Sequence, residues 1–148
     1  MRKIAISAAA ISLILVINAC KKSDSNSNNP SARTVKNFSG SYTITAINAS
    51  VLGLNVNLYD SLPACDKDNI IELDSNLTAH FIDAGIVCVP PSDSTGTWSL
   101  SSNTDTLYIA GTANFIKSWD GKTLMLTSVE NVTGIPVPVT ATTTLAKK

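Results

Sequence analysis

The sequence predicts an all-β domain: a small antiparallel up-and-down meander closing into an eight-stranded barrel, with a β-sandwich of the same strand count as the alternative. Three observations predict it. Helix formers are scarce, since residues 38–148 contain no Gln, no Arg and only two Glu, Glu72 and Glu130, while Thr, Ser and Asn make up 35 of them. No window carries a 3.6-residue apolar period over three turns, and short alternating runs recur between turn signals instead. Connections are short except for Asp83 to Thr95, so successive strands are antiparallel neighbours. Eight strands in such a meander lose their exposed edges by closing.

The elements follow in order along the chain. Tyr42, Ile44 and Ala46 alternate with Thr43 and Thr45, and Leu52, Leu54, Val56 and Leu58 alternate with Gly53, Asn55 and Asn57. Ile70–Leu73 and Leu77–Ile82 read as two strands around Asp74-Ser75-Asn76, with Ser75-Asn76 expected as a two-residue loop. Trp98 and Leu100 mark the next strand, Leu107 and Ile109 another, and Ala113, Phe115 and Lys117 a third. Asp120-Gly121 is the strongest hairpin signal and joins residues 114–117 to residues 123–127. The last run, Val137 to Leu145, follows Pro136 and contains Pro138, which suits an edge or a strand start.

The front of the chain has a different character. Arg2 and Lys3 precede a largely apolar run from Ile4 to Ile17, long enough for an export signal and too short to span a bilayer. The end of that run, Ile17-Asn18-Ala19-Cys20, resembles a bacterial lipobox. The resemblance implies a signal peptide over residues 1–19, removed before Cys20, whose thiol and amino group then carry acyl chains that anchor the protein in a membrane. Lys21 stands where inner-membrane retention signals place Asp, so the outer membrane is the expected location, facing the periplasm or the surface. Residues 20–37 then form a lipidated Cys and a polar, flexible tether, and residues 38–148 form the barrel domain. That domain has five Lys against ten Asp plus Glu, so it has no basic face and nucleic acid is excluded as a partner.

Lipidation of Cys20 leaves Cys65 and Cys88 as a pair in an oxidising compartment. Around the expected two-residue loop, cross-strand partners have residue numbers summing to 151. Cys65 and Cys88 miss that sum by two, so one small bulge sets them side by side as a disulfide. A bridge closing a loop of this length stabilises by roughly 3 kcal/mol.

One segment echoes another: Ser39-Gly40-Ser41-Tyr42-Thr43-Ile44 recurs as Thr95-Gly96-Thr97-Trp98-Ser99-Leu100. Together with the meander, the lipobox, the Cys65/Cys88 pair and the late Asp-Gly hairpin, residues 38–147 resemble the lipocalin-like lipoproteins of gram-negative bacteria. The resemblance implies a barrel in the cell envelope. One departure is Tyr42, where the opening strand of that family more often has Trp.

Catalytic patterns are missing. His80 is the single histidine, without the Cys or second His that zinc needs. No Ser occupies a nucleophile elbow, and the Asp66-x-Asp68 pair lacks the remaining ligand positions of a calcium loop. The reading is therefore of a non-enzyme that calls for no metal and no cofactor. Two function classes remain open. One is a binder of a small apolar ligand, with Trp98, Phe115 and Trp119 as candidate contacts near the mouth of the barrel. The other is a structural or interaction module with a filled core, meeting an envelope protein through Trp119 or the Asp83–Thr95 loop.

Overall fold

A computed structural model describes residues 29–131 and 137–148. The export signal and Cys20 lie outside the described residues. Nine strands run in chain order: β1 (Gly40–Val51), β2 (Leu54–Asn57), β3 (Ile70–Leu73), β4 (Thr78–Ile82), β5 (Ser94–Leu100), β6 (Thr106–Ile109), β7 (Thr112–Trp119), β8 (Thr123–Glu130) and β9 (Val139–Lys147). Every neighbouring pair is antiparallel, and β1 pairs with β9 from Tyr42↔Lys147 to Ser50↔Thr140, closing an eight-stranded barrel. The ninth strand, β2, stands outside it. Long β1 pairs with β3 over Gly40–Thr43, then turns away and takes β2 over Asn48–Val51. A cleft opens in the wall where the two partners change over.

The expected strand from Leu52 to Leu58 is instead a turn followed by β2. Leu52 and Gly53 have φ of 48° and 81°, so they form the two-residue loop of a tight hairpin and reverse the chain. Leu52, Leu54, Val56 and Leu58 are consequently all exposed, Leu52 by 82%. A leucine in the left-handed region is strained, and Asn tolerates it far better. Leu52→Asn should therefore raise stability by about 0.5–1 kcal/mol, read as a higher urea midpoint. A lower midpoint would contradict this turn geometry.

The β3–β4 turn also differs from expectation. Asp74 N donates to Thr78 O, Leu77 N donates to Asp74 O, and Leu77 takes φ 71°. The loop is therefore three residues, Ser75-Asn76-Leu77, a hairpin that ends in a left-handed residue. The register moves by one, to Ile70↔Ile82 and Leu73↔Ala79.

One end of the barrel is plugged. Phe38, Tyr42, Leu73, Trp98, Leu107, Leu124 and Leu145 are fully buried there, with Trp119 almost so. Each large aromatic satisfies its polar tip on a carbonyl: Tyr42 Oη donates to Phe38 O (2.7 Å), Trp98 Nε1 to Asp74 O (2.8 Å) and Trp119 Nε1 to Pro30 O (3.1 Å). Burial raises the Tyr42 phenol pKa above its ordinary value.

Residues 29–37, read from composition as part of a flexible tether, lie against this end. Their short helix α1 (Val35–Phe38) is capped by Thr34, whose Oγ1 accepts from Asn37 N. The Arg33 guanidinium donates to Thr104 O and Ile116 O, both at 3.3 Å. Lys147 Nζ donates to Asn37 O at 2.7 Å and sits over the Tyr42 and Trp119 rings. Long-range bonds of this kind make the segment part of the domain.

Candidate functional site

The end opposite the plug is open. The β1–β2 hairpin, the loop of residues 83–93 and the Ala110-Gly111 turn all lie at this end. The inward positions differ between the two ends. Toward the plug they are Trp98, Leu107, Leu124 and Leu145, whereas toward the mouth Ala110, Asn114 and Thr143 stand among Ile71, Phe81, Ile109 and Leu126. The small and polar members of that set leave part of the interior unfilled.

Two cavities result, meeting at Ile71 and Phe81. The first, of about 400 Å³, sits at the cleft between β1 and β3. It is lined by Ile44, Ile47, Leu62, Asp66, Asn69, Ile70, Ile71, Phe81, Ile82, Ser92 and Ser94. Sequence neighbours that face opposite sides of a strand, Ile70 with Ile71 and Phe81 with Ile82, both reach it because the wall is open at the cleft. The second, of about 310 Å³, runs deeper past Ile109, Leu126 and Leu145, with Asn114 and Thr143 as its polar groups. Both volumes fall within the range of small-molecule sites, and the mixture of an apolar lining with few polar groups is typical of them.

The rim on one side is braced covalently. Cys65, in the short helix α2 (Ala64–Lys67), is bridged to Cys88 with Cα atoms 5.2 Å apart, the pairing expected from the sequence. Around the bridge the loop of residues 83–93 is held by side-chain acceptors. The Asp83 carboxylate accepts from Cys88 N (3.0 Å) and Ser92 N (2.9 Å), Asp68 Oδ2 accepts from Ile86 N (2.8 Å), and Asn69 Oδ1 accepts from Ala84 N (3.3 Å). Gly85, at φ 65°, is required at its position, because a Cβ there would strike the Asp68 carboxylate. The Cys65, Asp66 and Cys88 heteroatoms cluster within 4.8 Å, but the bridge engages both sulfurs and leaves a single carboxylate, too few donors to hold a metal.

The three aromatic candidates do not line either cavity. Trp98 and Trp119 belong to the plug, 2% and 8% exposed. Phe115 is half-exposed on the outer wall. The physical reason is a bulge: the β7–β8 register shifts between Ile116 and Ser118, so Lys117 is the extra residue and the alternation reverses across it. Phe115 then points outward, while Ile116 and Trp119 point inward. His80 lies on the outer face, its Nε2 3.2 Å from Asp74 Oδ2 and its Nδ1 3.4 Å from Thr95 Oγ1.

The true lining was missed, because it is built from ordinary Ile and Ser residues of four separate segments. The long loop from Asp83 was the one local signal that pointed to this end. Around the mouth, Leu52, Leu54, Val56, Ile86, Val87 and Val89 are exposed and form an apolar fringe. No family model matches the chain, and no curated protein or solved structure matches it either.

Proposed function

We propose that the chain is a non-enzymatic lipoprotein of the cell envelope, anchored through Cys20 in the outer membrane, whose lipocalin-like barrel takes a small apolar ligand into its open end. The observation that carries this reading is the unfilled mouth cavity of about 400 Å³ beside a plug that is fully packed. At about 30 Å³ for each water-sized group, it has room for roughly a dozen non-hydrogen atoms, so the ligand is a small one. An anchor at Cys20 is nine residues from Asn29, at most about 32 Å of extended chain. Asn29 lies at the plugged end, so the tether would join the domain at the end opposite the mouth.

Titration of residues 29–148 with octan-1-ol tests the binding. Saturable NMR shifts of the Ile44, Ile70, Ile71 and Ile82 methyls, with the plug residue Ile116 unmoved, are expected. An absence of shifts, or equal shifts throughout, would contradict it. The apolar fringe on β2 and the loop of residues 83–93 favours the second reading, a contact module for an envelope protein.

A further inference from the structure

The mouth cavity is electrically one-sided. Among the described residues that line it, Asp66 is the only charged one and there is no cation. Asp66 is half-buried in α2, and its Oδ1 lies 3.4 Å from Cys88 Sγ. That sulfur is part of the disulfide and has no proton to donate, so the contact leaves the acceptor capacity of the carboxylate unused. The neighbouring Lys67 is turned elsewhere: its Nζ donates to Asp60 O at 3.1 Å and stands over the Tyr59 ring. Among the described residues the one contact of this kind between an acidic and a basic side chain is that of Asp74 with His80, on the outer wall. The remaining polar groups of the rim, Asn69, Ser92 and Ser94, are neutral.

We propose that this site recognises a small amphiphile with a primary ammonium head, its apolar body lying against Ile44, Ile71 and Phe81 and its head donating to the Asp66 carboxylate. The inference rests on the ligand-binding reading above and names the ligand class. An anionic head in the same place would meet Asp66 and find no cationic partner, at a cost that the partly closed setting enlarges. An ammonium head replaces lost hydration with a charge-assisted hydrogen bond and has further acceptors in the hydroxyls of Ser92 and Ser94. The net negative charge of residues 38–148 adds a general attraction for cations. The volume of about 400 Å³ suits a single-chain or compact amine.

The experiment compares three probes of equal chain length, octylammonium, octan-1-ol and octanoate, titrated into the oxidised domain in low salt with the Ile methyl shifts as the readout. Octylammonium should bind at least tenfold more tightly than octanoate, with octan-1-ol between them. Asp66→Asn, nearly isosteric, should remove most of the difference between the charged probes and change octan-1-ol far less than octylammonium. In the native domain, raising NaCl to 0.5 M should weaken octylammonium and spare octan-1-ol. Equal affinity for all three probes, preference for octanoate, or a preference that Asp66→Asn leaves undiminished would overturn the proposal while leaving the cavity reading intact. Failure of all three probes to bind would overturn both.

Discussion

Truncation of Phe38 to alanine should destabilise the domain by about 3–5 kcal/mol, the range for deleting a buried aromatic ring. Domains of this size have total stabilities of about 5–15 kcal/mol, so the loss removes a large share of the whole. Phe38 is 0% exposed, and its ring centroid is 5.1 Å from that of Trp119. Its backbone carbonyl receives the Tyr42 hydroxyl, and the Asn37 carbonyl beside it receives Lys147 Nζ. The ring packs α1 against Trp119 of β7, while the two carbonyls tie α1 to β1 and β9 and survive the truncation, so alanine leaves a hole between elements that are held in place. Phe115→Ala is the matched control. Phe115 is 52% exposed on the outer wall, so its loss should cost well under 1 kcal/mol. Urea unfolding of both variants measures the contrast. Equal effects, or a Phe38 effect below about 1 kcal/mol, would mean that the segment before β1 is not part of the core.

Replacing both Cys65 and Cys88 with alanine should lower stability by about 3 kcal/mol, as the chain-entropy model gives for a closed loop of this length. The sequence separation is 23, and the enclosed segment contains the β3–β4 hairpin. The loss should be local in its dynamics as well as global in its energy. Without the bridge the loop of residues 83–93 retains the side-chain hydrogen bonds of Asp83, Asp68, Asn69 and Asp93. Amide exchange should then rise in that loop and at the mouth, while Leu124 and Leu145 in the plug keep the protection set by global unfolding. An unchanged urea midpoint would show that those side-chain acceptors, not the bridge, hold the rim.

These effects divide the molecule much as the sequence does. The meander, the closure and the disulfide were legible because each leaves a local trace: alternating runs, turn residues, and a Cys count that resolves once Cys20 is set aside. Three turns of phase were not legible. Leu52 and Leu77 occupy left-handed positions for which leucine gives no signal, and the chain around them holds those conformations through pairing with β1 and β4. Lys117 bulges without a Gly or Pro to mark it, and that single residue moved Phe115 from the expected inner face to the outer one.

The cavity has a different kind of invisibility. Ala110, Asn114 and Thr143, which line the deeper cavity, come from the β6–β7 turn, β7 and β9, and each is unremarkable alone. Their smallness matters only once closure points them at the same space. The cleft that completes the mouth depends on β1 changing partners from β3 to β2, a tertiary choice with no local sequence cause. Pro30 and Arg33 make the same point at the other end: a polar composition predicted a tether, yet their long-range bonds to Trp119, Thr104 and Ile116 tie them to the plug.

Native mass spectrometry of the full-length protein isolated from cells in mild detergent, before and after denaturation, tests the central claim most directly. The account predicts two additions to the mass of the chain that begins at Cys20. One, the acyl chains, survives denaturation; the other, a small ligand of roughly a dozen non-hydrogen atoms, is lost with the fold. A chain that carries no acyl mass and whose native and denatured masses agree, even after exposure to an extract of its own envelope, would contradict it.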